Sequence, residues 1–253
     1  RMETSLHREL KRLYADPADL RLEVRHGNYR IDAVRDGELV EIQHGSLSAI
    51  RNKVAALLSE HRVRVVKPIV AAKLLVKRCR KNGRVTERRL SPKRQTLLAL
   101  FDELVYFTKV FPHPRLTLEA VLVETEEWRY PGHGRRRRWR AGDFVVEDQK
   151  LAAVLDSRRV QTPADLRRLL DCELPETWQT VDLAAALDVP RHVAQRIAYC
   201  LRETGAAQVI GKSRNAIVYR WPEFVRAGSR MALSRAEAGK PDAGHVGNST
   251  LAA

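Results

Sequence analysis

The sequence predicts an α/β (α+β) protein, a mixed sheet with flanking helices followed by a small domain made of two helices and a hairpin. Three observations predict it. A helix-period segment, three short alternating runs, a second helix-period segment and an apolar run succeed one another within residues 3–76. Asp36-Gly37, between two of the alternating runs, is the dipeptide of a two-residue hairpin turn. Near the end, two short helical patterns separated by Asp188-Val189-Pro190 precede another hairpin pattern.

Residues 3–14 (ETSLHRELKRLY) set Leu6, Leu10, Leu13 and Tyr14 on one helical face, and Asp16-Pro17 ends the segment. LRLEVR (20–25), YRIDAVR (29–35) and ELVEIQ (38–43) alternate as strands, separated by His26-Gly27-Asn28 and by Asp36-Gly37. Ser46 caps a helix whose buried stripe is Ile50, Val54, Leu57 and Leu58 and which ends near His61. Residues 62–76 read as a strand interrupted at Pro68. Residues 93–108 look helical through Leu97, Leu98, Phe101, Leu104 and Val105, and residues 116–129 alternate as a strand. PGHGRRRRWRAG (131–142) carries Arg135, Arg136, Arg137, Arg138 and Arg140 among Gly and Pro; it reads as an exposed hairpin tip or a linker. A short strand and a helix are expected within 143–172.

TVDLAAALDVP (180–190) is a short apolar helix ended by a turn. RHVAQRIAYCLRETG (191–205) is a helix with Val193, Ile197 and Leu201 inward and Gly205 just past its end. AQVI, GKSRN and AIVYRW form a hairpin with a basic tip, and from Arg226 onward the small polar residues read as disordered. The expected organisation is a first domain over 1–130, a basic connector over 131–177, a helix-pair domain over 178–222 and a tail over 223–253.

The 253 residues hold 46 Lys+Arg against 31 Asp+Glu, a formal net charge of +15, with 44% hydrophobic residues. Wholesale disorder is excluded. Residues 51–100 alone carry 15 basic and 2 acidic side chains. Charge gathered in this way attracts polyanions, so nucleic acid is the expected partner, against the plainer reading of a solvated basic face. No apolar run approaches the roughly 18–20 residues that span a bilayer, and the first residues lack a secretory pattern. A cytoplasmic protein without membrane contact is expected, nucleoid-associated in a bacterial cell. Cys79, Cys172 and Cys200 are too scattered for a disulfide framework or a structural zinc site.

The Asp36-Gly37 turn fixes the hairpin register, because residues whose numbers sum to 73 then face each other. Asp32 faces Glu41, and like charges at that spacing destabilise a sheet unless something positive lies between them. Gln43 and Arg30 share that face, while Ile31, Ala33, Val40 and Ile42 form the buried one. Two carboxylates and a backbone carbonyl are a donor set that suits Mg²⁺ (or Mn²⁺) beside a phosphodiester; acids in water, paired to Arg30 or to lysines, are the alternative. On the first helix Glu3 falls inside the apolar arc with His7 one turn on, so Glu3 is the candidate to coordinate through water or to orient one, and Glu9 is a second.

Helix, then Asp32 and the Glu41-Ile42-Gln43 triplet on consecutive strands, then helix and strand, resembles the core of the PD-(D/E)XK nuclease superfamily, the restriction-endonuclease-like fold, over residues 3–76. The resemblance implies that Asp32 and Glu41 bind Mg²⁺ and that an acid of the first helix, Glu3 or Glu9, assists. The family triplet usually ends in lysine; here Gln43 stands instead, which can orient water but cannot stabilise developing negative charge. Ser46, Ser48 and Arg51 lie at the start of the next helix, and Arg51 and Lys53 are expected on the DNA backbone.

Residues 178–222 resemble a winged helix-turn-helix. Its second helix would present Arg191, His192, Gln195, Arg196 and Tyr199 to a major groove, with Lys212, Ser213 and Arg214 at the hairpin tip. The sequence thus leads to a metal-dependent DNA endonuclease, catalytic at Glu3, Asp32, Glu41 and Gln43. It leaves open a catalytically inactive DNA-binding regulator on the same fold, and an RNA-directed enzyme. Duplex DNA is the expected partner, with a second copy of the chain a further candidate.

Overall fold

In the computed structural model, residues 3–16, 21–132 and 143–223 are described. Helix α1 (Ser5–Tyr14) is followed by strands β1 (Leu22–His26), β2 (Tyr29–Arg35) and β3 (Glu38–Ile42). A 3-10 turn (Leu47–Ile50) leads into α2 (Arg51–Leu57), and then come β4 (Val63–Arg78) and β5 (Val85–Leu90). A further 3-10 turn (Leu97–Ala99) and α3 (Leu100–Leu104) precede the long strands β6 (Leu116–Pro131) and β7 (Phe144–Val160). The remainder is α4 (Pro163–Leu169), β8 (Thr177–Trp178), α5 (Thr180–Leu187), α6 (Arg191–Glu203), β9 (Gln208–Ser213) and β10 (Ala216–Arg220).

The first seven strands form one mixed sheet in the order β1-β2-β3-β4-β6-β7, with β5 paired to part of β4. β1, β2 and β3 follow one another antiparallel, whereas β3 and β4 are parallel, as a connection through α2 requires. Asp36 and Gly37 both take positive φ, +51° and +72°, so the turn expected from the dipeptide is formed. The last three strands make a separate small sheet in the order β8-β10-β9.

Adjacent residues of β3 and β4 point into two different cores. On one face, Leu6, Leu10 and Tyr14 of α1 pack on Ala33, Val40, Ile42, Val66 and Val121. On the other, Leu39, Val63, Val65 and Leu118 meet Val54 of α2 and Phe101 and Leu104 of α3, and this cluster continues into Ile197 and Leu201 of α6. Each fully buried Leu or Ile contributes about 1.5–3 kcal/mol. The sheet is therefore clamped by α1 on one side and by α2, α3 and α6 on the other.

Several elements differ from expectation. Ile31 lies in the α2-side cluster, not beside Ala33, Val40 and Ile42, because β2 abandons regular alternation at Asp32. The strand at 62–76 runs unbroken past Pro68, with its irregularity between Val70 and Ala72. The helix expected over 93–108 is reduced to a 3-10 turn and the five residues of α3. β5 was not foreseen; as VTERRL on a sheet edge it is charged and largely exposed, so no apolar alternation marks it. The short strand expected after 143 is the 17-residue β7, and the expected boundary at 130/131 falls inside β6. α4 is closed by a capping box between Thr162 and Asp165, and it packs with α6. The arginines expected at a hairpin tip lie within 133–142, and the expected tail lies almost wholly within 224–253; both lie outside the described residues.

Candidate active site

The ladder between β2 and β3 runs Arg35↔Glu38, Val34↔Leu39, Ala33↔Val40, the register that sets Glu41 opposite Asp32. There the hairpin opens. The Ile42 N–H donates not to a strand carbonyl but to Asp32 Oδ2, at 2.8 Å, and the Gln43 N–H turns to the Val66 carbonyl of β4. Glu23 of β1, level with Asp32, takes a left-handed φ of +55°. A backbone that departs from strand geometry on both sides of one carboxylate is the kind of strain that collects at sites of function.

Glu41 is 8% exposed. Its Oε2 accepts from Lys53 Nζ at 2.6 Å, and no hydrogen bond reaches Oε1 among the described residues. α1 brings His7 and Lys11, one turn apart, over the opened hairpin, and Glu3, expected on this helix, joins them from the residue before its N-cap Thr4. His7 Nε2 lies 3.2 Å from Asp32 Oδ1 and 3.7 Å from Glu3 Oε1. The buried Lys11 Nζ lies 2.6 Å from Glu3, 2.7 Å from Glu23 and 3.4 Å from Asp32. Arg30 closes the group by pairing with Glu23.

Burial pushes the Asp32 carboxyl up, but the hydrogen bonds from His7 and the Ile42 N–H outweigh it, so its pKa is lowered. The Glu41 carboxyl is raised: burial contributes most, the Asp32 charge adds to it, and Lys53 offsets only part. The Lys11 ammonium is raised because Glu23 and Glu3 more than compensate its burial. His7 aside, the group holds four carboxyl groups against the three cations Lys11, Arg30 and Lys53, inside a chain of charge +15.

Carboxylate oxygens are the donors that a hard dication takes. Asp32 Oδ1 is approached by His7 and Lys11 from α1 and Glu41 Oε2 by Lys53 from α2, and the two carboxylates are close enough for the Asp32 charge to add to the burial that raises the Glu41 pKa. Asp32 and Glu41 are the residues that would hold Mg²⁺ or Mn²⁺. Among the described residues no group of three or more His, Cys, Asp or Glu side chains is arranged to hold a metal ion by itself.

Other expected site residues fall as follows. Gln43 donates one amide hydrogen to the Ser46 carbonyl at 2.8 Å, leaving its second N–H and Oε1 for a water. Glu9 accepts the Leu151 N–H of β7 and stands apart from the acids. Ser46 and Ser48 hydrogen-bond each other at the start of the 3-10 turn, and Arg51 is exposed. Lys53, expected on the DNA backbone, is instead fixed on Glu41 and on the Arg30 carbonyl. On α6, Arg191 and Gln195 are exposed and line a groove of about 280 Å³ against β10, together with Tyr199 and Arg202. Arg196 does not face outward freely: it pairs with Asp102, which ties α6 to α3. Lys212 and Arg214 are exposed at the β9–β10 turn, where Arg214 has a φ of +54°.

Lys11, Glu23 and His44 were missed. Lys11 stands one turn beyond His7, and Glu23 follows from the His26↔Tyr29 pairing of the β1–β2 turn, whose partners sum to 55. His44 is half-buried, its Nε2 atom buried and without a hydrogen-bond partner among the described residues, its ring 5.3 Å from that of His7. Burial, then the neighbouring His7 and Lys67, push its pKa down to about 4.

Fold and site together define a mixed α+β protein that gathers acids where a hairpin splits beneath a helix. No helix among the described residues is long and apolar enough to cross a membrane. The chain belongs to the family described as Domain of unknown function (DUF8091), which matches residues 4–161, from α1 through β7. No curated protein and no solved structure matches it.

Proposed function

We propose that the protein is a metal-dependent DNA endonuclease with a PD-(D/E)XK type core and a winged helix-turn-helix. One observation carries the reading: Asp32 and Glu41 lie where the β2–β3 hairpin opens, the Asp32 charge acting on Glu41, beside the His7 of α1 and the Glu3 that precedes its N-cap. The order α1, three antiparallel strands, α2 and a parallel β4 supports the core. The arrangement of α4, α5 and α6 with a sheet in the order β8-β10-β9 supports the winged helix.

In this reading Asp32 and Glu41 hold Mg²⁺ or Mn²⁺, which when bound polarises the phosphodiester and acidifies the attacking water. Lys11 and the Ile42 N–H keep the Asp32 carboxylate ionised and aimed. His7 Nε2 donates to Asp32 Oδ1 beside Glu3 and so holds that carboxylate in place, and the proton that the water gives off would pass to solvent. Lys53 brings to Glu41, from α2, a positive charge that the Glu-Ile-Gln triplet lacks, and so supports charge developing on the phosphate. Arg191, Gln195, Lys212 and Arg214 bind the duplex at a distance from the chemistry.

Labelled duplex DNA with Mg²⁺ or Mn²⁺ tests the proposal. Cleavage should occur and should fall at least about a hundredfold in Asp32→Ala and in Glu41→Ala, with DNA binding retained. A second reading, an inactive DNA-binding protein on the same fold, is favoured by one observation: each acid already has a lysine, Lys53 on Glu41 and Lys11 on Asp32. Tight binding that ignores metal, without cleavage of duplex, single strand or RNA, would establish it.

A further inference from the structure

Between the end of β3, paired at Ile42↔Val66, and the start of β5, paired at Leu74↔Leu90, β4 has no strand neighbour on that side. The sheet edge is notched there, and Pro68, which has no N–H to offer, lies in the notch. A cavity of about 280 Å³ occupies it, lined among others by Leu6, His44, Lys67, Ile69, Thr125 and Gln149. Its wall is one side chain away from the acids, since the His44 ring lies 5.3 Å from that of His7, whose Nε2 touches Asp32.

The charges around this cavity are answered within the protein. Lys67 Nζ reaches the His44 and Gly45 carbonyls at 3.1 and 2.6 Å and Glu103 at 3.3 Å, and Lys73 pairs with Glu127 at 2.8 Å. Two neutral polar atoms are not answered: His44 Nε2 and Thr125 Oγ1 are both buried without a hydrogen-bond partner, and Thr125 is only 3% exposed. Buried polar atoms are seldom left so, because each costs about 1–3 kcal/mol. A ligand that satisfies them is neutral, carries hydrogen-bonding groups on its edge and has an apolar body to lie against Leu6 and Ile69. A cavity just under the roughly 300–1,000 Å³ of small-molecule sites has room for one heterocycle and no more.

We propose that the notch receives one unpaired or extruded nucleobase of the strand whose phosphate lies at Asp32 and Glu41. The inference rests on the reading of those acids as a phosphodiester site, and it deepens that reading into a preference for nucleic acid with an unpaired nucleotide. Extruding a base costs least where it is already unpaired.

The test measures binding without cleavage. Full-length protein in EDTA is titrated into a labelled duplex carrying one unpaired nucleotide and into its fully paired counterpart, by fluorescence anisotropy. The unpaired duplex should bind about tenfold more tightly, the equivalent of one or two buried hydrogen bonds. Thr125→Val, which exchanges the hydroxyl for a methyl group of equal size, should reduce that preference, and Thr125→Leu, which fills the notch, should remove it. Equal affinity for the two duplexes overturns the proposal, as does a preference that survives both variants. Cleavage without the preference would overturn the pocket alone; the preference without cleavage would overturn the nuclease reading alone.

Discussion

Replacing Lys53 by Met keeps the length and bulk of the side chain and removes its charge. Glu41 would then be buried beside Asp32 with no cation on it. Breaking a buried ion pair from one side costs about 3–5 kcal/mol; side-chain exposures of 17% for Lys53 and 11% for Glu41 set this pair below that range, at about 2–3 kcal/mol near pH 7. The loss must depend on pH, and its sign follows from linkage. The folded pKa of Glu41 is already above the 4.5 of the free carboxyl, and removing Lys53 raises it further. Well below pH 4.5 Glu41 is protonated in both folded and unfolded chains, so the variant and the parent should differ little. As pH rises through the folded pKa, the unfolded chain ionises first and the variant loses stability. Urea unfolding in EDTA from pH 4.5 to 7.5 should show the gap opening with pH. Adding Glu41→Gln to the variant should close most of it. Magnesium at about a hundred times its dissociation constant should restore on the order of 2.7 kcal/mol, and more to the variant than to the parent. A gap of the same size at both ends of the pH range, or a double variant as unstable as the single one, would refute the reasoning.

Tyr14→Phe removes a hydroxyl that donates to Glu119 at 2.7 Å in the α1-side core, and unfolding by urea should register a loss of about 1–2 kcal/mol. Thr125→Val removes an unsatisfied buried hydroxyl, so the same measurement should show a gain of up to about 1 kcal/mol; a loss would mean that the hydroxyl has a partner. Arg191→Ala and Lys212→Ala should each lower the salt slope of DNA binding by about one. Arg196→Ala should change that slope less than either, because Arg196 is paired with Asp102; a full unit of change would show that DNA takes Arg196 from its partner. Gln43→Lys should raise cleavage or alter its metal dependence while costing about 1 kcal/mol through the Ser46 carbonyl; kinetics unchanged in both respects would remove Gln43 from the reaction.

The part of the fold legible in the sequence is the part with a local code. The Asp36-Gly37 turn, through its positive φ, sets the register in which residues summing to 73 pair, and the ladder follows it from Arg35↔Glu38 to Ala33↔Val40. The stripe of Leu6, Leu10 and Tyr14 located α1 for the same reason. What escaped is what depends on the environment. Alternation implied that Ile31 and Ala33 share a face, but the Asp32 carboxylate replaces a backbone acceptor for Ile42, and the strand turns about that bond. Lys53 and Arg196 are ordinary exposed helix charges by periodicity; only packing gives each of them an acid. β5 has no apolar face to detect, because an edge strand covered on neither side needs none.

The opposed charges of the chain and of its acid group have a common explanation if the substrate is a polyanion. A positive field over the whole molecule gathers nucleic acid but would also fill the site with phosphate, held by lysines in an unreactive pose. A pocket with one carboxylate in excess repels bare phosphate and admits it only with a cation between. The structure keeps the two tendencies apart. Arg191, Lys212 and Arg214 lie exposed on the helix-pair unit, whereas Lys11, Lys53 and Lys67 near the acids are each tied to a carboxylate. Phosphate protection should therefore be strongest on the helix-pair surface. Near Asp32 it should be absent in EDTA and appear once Mg²⁺ is added. Lysine and arginine footprinting with and without the ion reads this directly, and protection of Lys53 that is already complete in EDTA would contradict it.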